Sequence, residues 1–309
     1  MRVLVVGGTE FISLHLVRAL LRDRHEVVVL NRGRHPGRVP AGVKTIVADR
    51  KDHAALRRVL AGERFDGLVD ITYAPTTGDD VRALLAALDG RAGHAIFVST
   101  GRVHDHALPI PYHEDTPRNL YWGEYAKNKI EGEDAYLGSG LPASVVRPTH
   151  VFGPLNTRNN ETFFFDRLVR GRPVLVPGPG GWLRQFGHVE DLADAMAAML
   201  GDRRAFGRAY NVSGEESITQ VGFVELIAEV IERPASLVHV AKAPFGQNLV
   251  YDCHAVYTTT RIRAELGLRP RYTLASGLAQ TFEWYLREGL DRRDVDFSQD
   301  DALLAAART

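Results

Sequence analysis

The strongest constraint on the fold lies in residues 3–21. Val3-Leu-Val-Val6 is a short apolar run that stops at Gly7-Gly-Thr9. Apolar residues then recur at helical spacing, at Phe11, Leu14, Val17, Leu20 and Leu21. A buried strand, a glycine turn and a helix in direct succession open a dinucleotide-binding unit. The free N–H groups and the dipole at the helix N-terminus both favour a phosphate there. A second apolar strand, Glu26–Leu30, follows and ends at Asn31-Arg-Gly-Arg34.

The alternation continues. Lys44–Val47, Gly67–Ile71, His94–Val98 and Ala143–Val146 read as strands, and Asp52–Leu60, Asp80–Leu88 and the segment around Tyr125 as the helices between them. Strands alternating with helices predict an α/β fold, a Rossmann-type, doubly wound parallel sheet with right-handed crossovers. After Pro148 the texture changes: Gly- and Pro-rich loops separate shorter elements. Glu161–Val169, Glu190–Leu200, Thr219–Ile231 and Leu274–Arg287 read as helices and Leu237–Val240 as a strand. We therefore expect a dinucleotide-binding domain over 1–150. A smaller α+β substrate-binding lobe is expected over 151–309, with some of its segments returning to the first domain. The tail from Asp291 onward, charged and then alanine-rich, reads as an exposed helix or a frayed end.

Composition narrows the function. Of 309 residues, 45% are hydrophobic and 25% charged, with a formal net charge of zero. No global field recruits nucleic acid or acidic lipid, so neither is expected as a partner. The single cysteine, Cys253, excludes an internal disulfide and a cysteine-rich zinc site. His104-Asp-His106 lacks metal-site spacing, so no metal is expected, and His94, His104, His106, His113 and His188 are read as cleft-lining or solvated. No apolar run reaches transmembrane length and a strand begins at once, which predicts a cytoplasmic protein.

The chemistry centres on Tyr125-Ala-Lys-Asn-Lys129, read as the first turns of a helix. Tyr125 and Lys129 then share one face, a turn apart. A phenol with its ordinary pKa near 10 is no base at neutral pH, whereas an ammonium held beside it favours the phenolate. Such a pair suits proton exchange with a sugar hydroxyl.

With these residues in view, the protein resembles the extended short-chain dehydrogenase/reductase family, the NAD-dependent nucleotide-sugar epimerases and dehydratases. The resemblance runs from Val3 to about Leu290. It rests on the glycine turn at Gly7, Phe97-Val-Ser-Thr100, Tyr125 with Lys129, Arg147-Pro-Thr-His-Val-Phe-Gly-Pro154, Arg184-Gln-Phe-Gly-His-Val-Glu-Asp191 and Thr259–Gly267. It implies that Thr100 hydrogen-bonds the reacting hydroxyl, Tyr125 exchanges its proton, and Lys129 lowers the phenol pKa and holds the nicotinamide ribose. It further implies cofactor contacts from Gly7, Thr9, Glu10, Phe11, Ile12, Asn31, Arg32, Asp49, Arg50, Tyr73, Ala74 and Ser99. Substrate contacts are implied for Thr100, His150 and Arg184, and a homodimer through the helices Asp80–Leu88 and Gly123–Tyr136.

Three departures shape the functional expectation. Glu10 and Ser13 stand where the family usually has its second and third glycines. A carboxylate there opposes a pyrophosphate unless it points away or pairs with a cation; family branches that tolerate a non-glycine at the second position include chloroplast stem-loop RNA-binding proteins. Asn31 replaces the acid that normally binds the adenosine ribose, so NADP is permitted as well as NAD, with Arg32 and Arg34 able to meet a phosphate. Gly101 and Arg102 replace the acid pair of the 4,6-dehydratases. The expectation is an NAD(P)-dependent epimerase acting on a nucleotide-activated sugar through a transient ketone. The alternatives are an NADPH-dependent ketone reductase and a Rossmann-type RNA-binding protein without turnover.

Overall fold

The structure, a computed structural model, describes residues 1–71, 76–158, 160–241 and 253–307. In sequence order, the first half holds β1 (Arg2–Val6), α1 (Phe11–Arg22), β2 (Glu26–Asn31), β3 (Lys44–Val47), α2 (His53–Val59), β4 (Phe65–Ile71), α3 (Gly78–Leu88), β5 (Ala92–Val98), α4 (Gly123–Leu137) and β6 (Ala143–Pro148). The second half holds β7 (His150–Phe152), α5 (Glu161–Leu168), β8 (Val174–Pro177), β9 (Leu183–His188), α6 (Val189–Met199), β10 (Ala209–Val212), β11 (Ser217–Thr219), α7 (Gln220–Val230), β12 (Leu237–Val240), α8 (Thr260–Leu266), α9 (Leu274–Arg287) and α10 (Ser298–Ala307).

These elements form two compact units. The first comprises Met1–Thr149, Val189–Ser213 and Tyr257–Arg269. Its sheet has the order β10-β6-β5-β4-β1-β2-β3, every neighbouring pair parallel. The winding thus reverses direction at β1, where β4 pairs on one side and β2 on the other, the place where such sheets open a crevice for ligands. Val3, Leu4 and Val5 are fully buried, as parallel strands covered on both faces require. Helix α3 starts two residues before the position its apolar spacing suggests. Thr77 and Asp80 form a capping box, Thr77 Oγ1 accepting from Asp80 N and Asp80 Oδ2 accepting from Thr77 N.

The second unit comprises His150–His188, Gly214–Val256 and Pro270–Thr309. It holds a three-stranded sheet, β11-β9-β7, and the parallel pair β12-β8. Its core is aromatic: Phe152, Phe163, Phe164, Phe165, Phe186, Phe223 and Tyr285 pack with Leu278 and Trp284. The tail is a largely exposed helix, as expected, but it is anchored at one buried residue. Asp300 on α10 is only 3% exposed, and both its oxygens accept from Arg167 of α5, Nε at 2.7 Å and Nη2 at 2.8 Å. Arg167 also donates to Phe163 O and lies over the Phe163 ring. Nothing in the tail's residues signals this, because one buried aspartate in an acidic stretch has no pattern of its own.

Removing one partner of a buried ion pair strands the other, at roughly 3–5 kcal/mol. Asp300→Ala is therefore expected to release α10 and lower the thermal midpoint, and limited proteolysis should then cut beyond Arg293. An unchanged digestion pattern would show that α10 is held by something other than this pair.

Candidate active site and nucleotide cleft

At the C-terminal edge of β1, β2, β3 and β4 in the first unit lies a cleft of about 380 Å3. This is within the usual range of small-molecule sites, roughly 300–1,000 Å3. Its lining includes Gly7, Thr9, Glu10, Asn31, Arg32, Asp49 and Arg50, so the structure gathers these sequence candidates into one place. Tyr73 and Ala74 lie outside the described residues. The cleft also takes in His35 and Lys51, which no motif singles out; only their position just beyond strand ends could have signalled them.

The glycine turn is shaped by close approach. Gly8 has φ +93°, and a Cβ there would lie 2.5 Å from Val29 Cγ1. Phe11, the first residue of α1, has φ +32°, an unusual value for a side-chain-bearing residue. Glu10 precedes it in extended conformation and makes no side-chain cap to the helix. Its carboxylate is instead 3.3 Å from Arg38 Nη1 and 3.9 Å from His35 Nε2. The unfavourable charge in the phosphate loop is thus paired with a cation, one of the two outs that electrostatics allowed. Ser13, in place of a third glycine, is 2% exposed and donates its hydroxyl to Glu10 O at 2.7 Å. The missing side chain of Gly7 makes room for it, since a Cβ on Gly7 would stand 3.2 Å from Ser13 Cβ.

Asn31 and Arg50 have definite structural partners. Asn31 Nδ2 donates to Gly7 O at 3.2 Å and its Oδ1 accepts from Gly33 N at 2.7 Å. Arg50 donates both terminal nitrogens to Asp70, which also accepts from Tyr136 Oη at 2.9 Å. Burial pushes the Arg50 pKa down, but the Asp70 carboxylate outweighs it and the net direction is up.

The proton-transfer candidates lie one and two strands along, at the end of β5 and the start of α4. Thr100 follows β5 and is 8% exposed; its Oγ1 accepts from Arg102 N. Ser99 beside it is buried and donates its N–H to Val146 O. Tyr125 is half-buried in the first turn of α4, and Lys129, one turn on, is 5% exposed. Lys129 Nζ donates to Val98 O at 2.7 Å, so this helix is pinned two residues from Thr100. Two further devices seat α4. Gly132 faces Phe97 so closely that a Cβ would meet the ring at 2.3 Å. Glu133, fully buried, accepts from Arg147 Nε at 2.8 Å and Nη2 at 2.7 Å, and from Arg118 Nη1 at 3.1 Å. Burial raises the Glu133 pKa, but the two arginines prevail and hold it below the ordinary carboxylate value. Arg102, in the place of the dehydratase acid, stacks 4.3 Å over Trp122 and sits 6.0 Å from the Tyr125 ring.

His150 and Arg184 belong to the second unit, on adjacent strands β7 and β9. His150 registers opposite Phe186, which shares its face of β9 with Arg184. His150 Nε2 is 3.1 Å from Asn160 Nδ2. At the next residue, burial pushes the Glu161 carboxyl up to about 8, with Asn156 Nδ2 hydrogen-bonded to it. Among the described residues no cluster of His, Cys, Asp or Glu could hold a metal, and no helix is long and apolar enough to cross a membrane.

Residues 3–213 match the model of the NAD dependent epimerase/dehydratase family. The protein belongs to that family. It is 29% identical to the chloroplast stem-loop binding protein of 41 kDa b of Arabidopsis thaliana, over 98% of this chain and 84% of that one. It is also 29% identical to a dTDP-glucose 4,6-dehydratase of Streptomyces niveus, over 92% of this chain and 93% of that one. Its fold is similar to that of the UDP-glucose 4-epimerase of Thermotoga maritima, with a TM-score of 0.80 at 20% identity, covering 94% of this chain and 100% of that one.

Of the histidines expected to be cleft-lining or solvated, His94, His104, His106 and His188 are all buried, and the first two are held by hydrogen bonds inside the first unit. His94 Nδ1 accepts from Gly201 N, and Nε2 is 2.8 Å from Ser144 Oγ, which itself donates to Ala205 O. His104 Nε2 donates to Asn211 Oδ1 at 2.9 Å, since the Asn211 amide nitrogen is committed to Tyr112 O and Thr258 O. Burial pushes both imidazoles down to about 4. The unfolded chain, with ordinary values near 6.5, binds more protons between these limits, so stability present above pH 6.5 is lost as pH falls toward 4. Each histidine contributes on the order of 3 kcal/mol to that loss. Urea midpoints should fall steeply between pH 6.5 and 4, and His94→Gln should flatten the decline; an identical slope in the variant would clear His94 of any part in it.

Proposed function

We propose that the protein is an NAD(P)-dependent epimerase acting on a nucleotide-activated sugar through a transient ketone. The observation that carries this reading is the Lys129–Val98 hydrogen bond, which fixes the Tyr125 helix at the end of the Thr100 strand. It is supported by the nucleotide cleft at the ends of β1–β4 in the same unit, where a helix N-terminus and a paired Glu10 suit a pyrophosphate. A bound nicotinamide would supply hydride acceptance and return. In this reading Thr100 Oγ1 holds the sugar hydroxyl, Tyr125 Oη takes and returns its proton, and Lys129 holds the nicotinamide ribose. Gly101 and Arg102 offer no acid and base for water loss, which favours epimerisation over 4,6-dehydration. We assign sugar-nucleotide recognition to the second unit, through Arg184 and His150. Two copies are expected to pair along α3 and α4, where Leu85, Ala135 and Leu141 line a groove.

The relative named for stem-loop binding supports a second reading, an RNA-binding protein without turnover. It would show as RNA affinity with a steep salt dependence, untouched by changes at Tyr125.

The test joins cofactor content to one substitution. Nucleotide released on denaturing the purified protein is identified by mass spectrometry, and UDP- and dTDP-hexoses are screened for interconversion. Tyr125→Phe is expected to fold, keep its cofactor and lose at least about 100-fold in turnover. Undiminished turnover would remove Tyr125 from the mechanism, and failure to bind either NAD or NADP would overturn the reading.

A further inference from the structure

The nucleotide cleft carries more positive charge than its own structure uses. Arg50 is committed to Asp70, and Arg38 to Glu10. Arg32 and Arg34 differ from both. They line the cleft, they are exposed, and neither has a hydrogen bond or ion pair among the described residues. The acids of the cleft do not answer them: Glu10 faces Arg38, and Asp49 turns an oxygen to Lys51 N at 3.0 Å. Lys51, at the same wall, adds an ammonium.

Asn31 explains why two guanidinium groups stand here. Its Oδ1 holds Gly33 N, and Gly33 takes φ +69°, with Val47 Cγ1 3.1 Å from where a Cβ would be. The backbone therefore turns sharply between Arg32 and Arg34. The same amide donates to Gly7 O, joining the turn to the glycine loop. An aspartate or glutamate at the end of this strand would bind a ribose diol and repel a 2′-phosphate. Here a neutral amide, facing the loop, does neither. What remains at the ribose end is a pair of guanidinium groups, whose planar donors match phosphate oxygens two at a time.

We propose that this cleft selects the 2′-phosphorylated dinucleotide, NADP, with Arg32 and Arg34 holding the 2′-phosphate. The inference rests on the reading that the protein binds a nicotinamide dinucleotide, and specifies which one. The 2′-phosphate sits at the opposite end of the cofactor from the nicotinamide, so the choice does not alter the roles of Thr100, Tyr125 and Lys129.

The full-length protein, freed of any resident nucleotide, is titrated calorimetrically with NADP, NAD, 2′,5′-ADP and ADP. NADP and 2′,5′-ADP are expected to bind at least about tenfold more tightly than their unphosphorylated counterparts. Arg32→Gln and Arg34→Gln should each erase most of that difference while leaving ADP affinity unchanged, which also shows that the cleft is intact. The preference should shrink as salt rises, because the added contact is between exposed charges. NAD binding as tightly as NADP, or a preference unmoved in the double variant, overturns the inference and leaves the function standing. Binding of neither dinucleotide overturns both.

Discussion

A buried ammonium cannot be left without oxygen partners, and the seating of α4 against β5 meets that demand at Lys129. The carbonyl that receives it, Val98 O, belongs to the last residue of β5. To bring helix and strand this close, α4 must give up a side chain at Gly132, at about 1 kcal/mol of helix propensity. The ring of Phe97 fills the space. One turn beyond Lys129, the Glu133–Arg147 pair ties α4 to β6, and Arg118 adds a third charge. Tyr125 is half-buried at the N-terminal end of this clamp, so its position follows largely from contacts made further along α4.

The glycine loop follows the same logic of compensation. Glu10 and Ser13 break the expected pattern, and each brings its own remedy. Glu10 reaches out to Arg38. Ser13 places its small side chain against the bare α-carbon of Gly7 and its hydroxyl on a loop carbonyl. A substitution that looks damaging in a motif can thus be neutral in three dimensions, provided the partner is already present elsewhere in the protein.

That partner is what sequence patterns do not reveal. The sheet of the first unit is legible because each strand is a compact apolar run, and the helices between them repeat at 3.6 residues. Lys129 and Tyr125 are legible because a one-turn spacing is local. Arg38 with Glu10, Asp70 with Arg50 and Asp300 with Arg167 are not, since nothing local distinguishes a charge destined for a buried or bridging pair from a solvated one. The short strands β7–β12 escape for a related reason. Of these, only Leu237–Val240 stands out. The others are three to six residues long, set among Gly- and Pro-rich loops, and are held mainly by pairing with distant segments.

The two units are interleaved in sequence: the first returns at Val189–Ser213 and again at Tyr257–Arg269, after parts of the second have been laid down. During synthesis, β10, the edge strand that completes the seven-stranded sheet, is made only after α5, β8 and β9. The nascent polypeptide therefore carries an open sheet edge on the ribosome until that strand arrives, and an open edge pairs readily with other chains. The second unit, likewise, lacks α9 and its core residues Leu278, Trp284 and Tyr285 until Pro270–Arg287 has left the exit tunnel. A ribosome that stalls between Gly214 and Tyr257 would release neither unit whole, so the two halves of this protein must mature almost together.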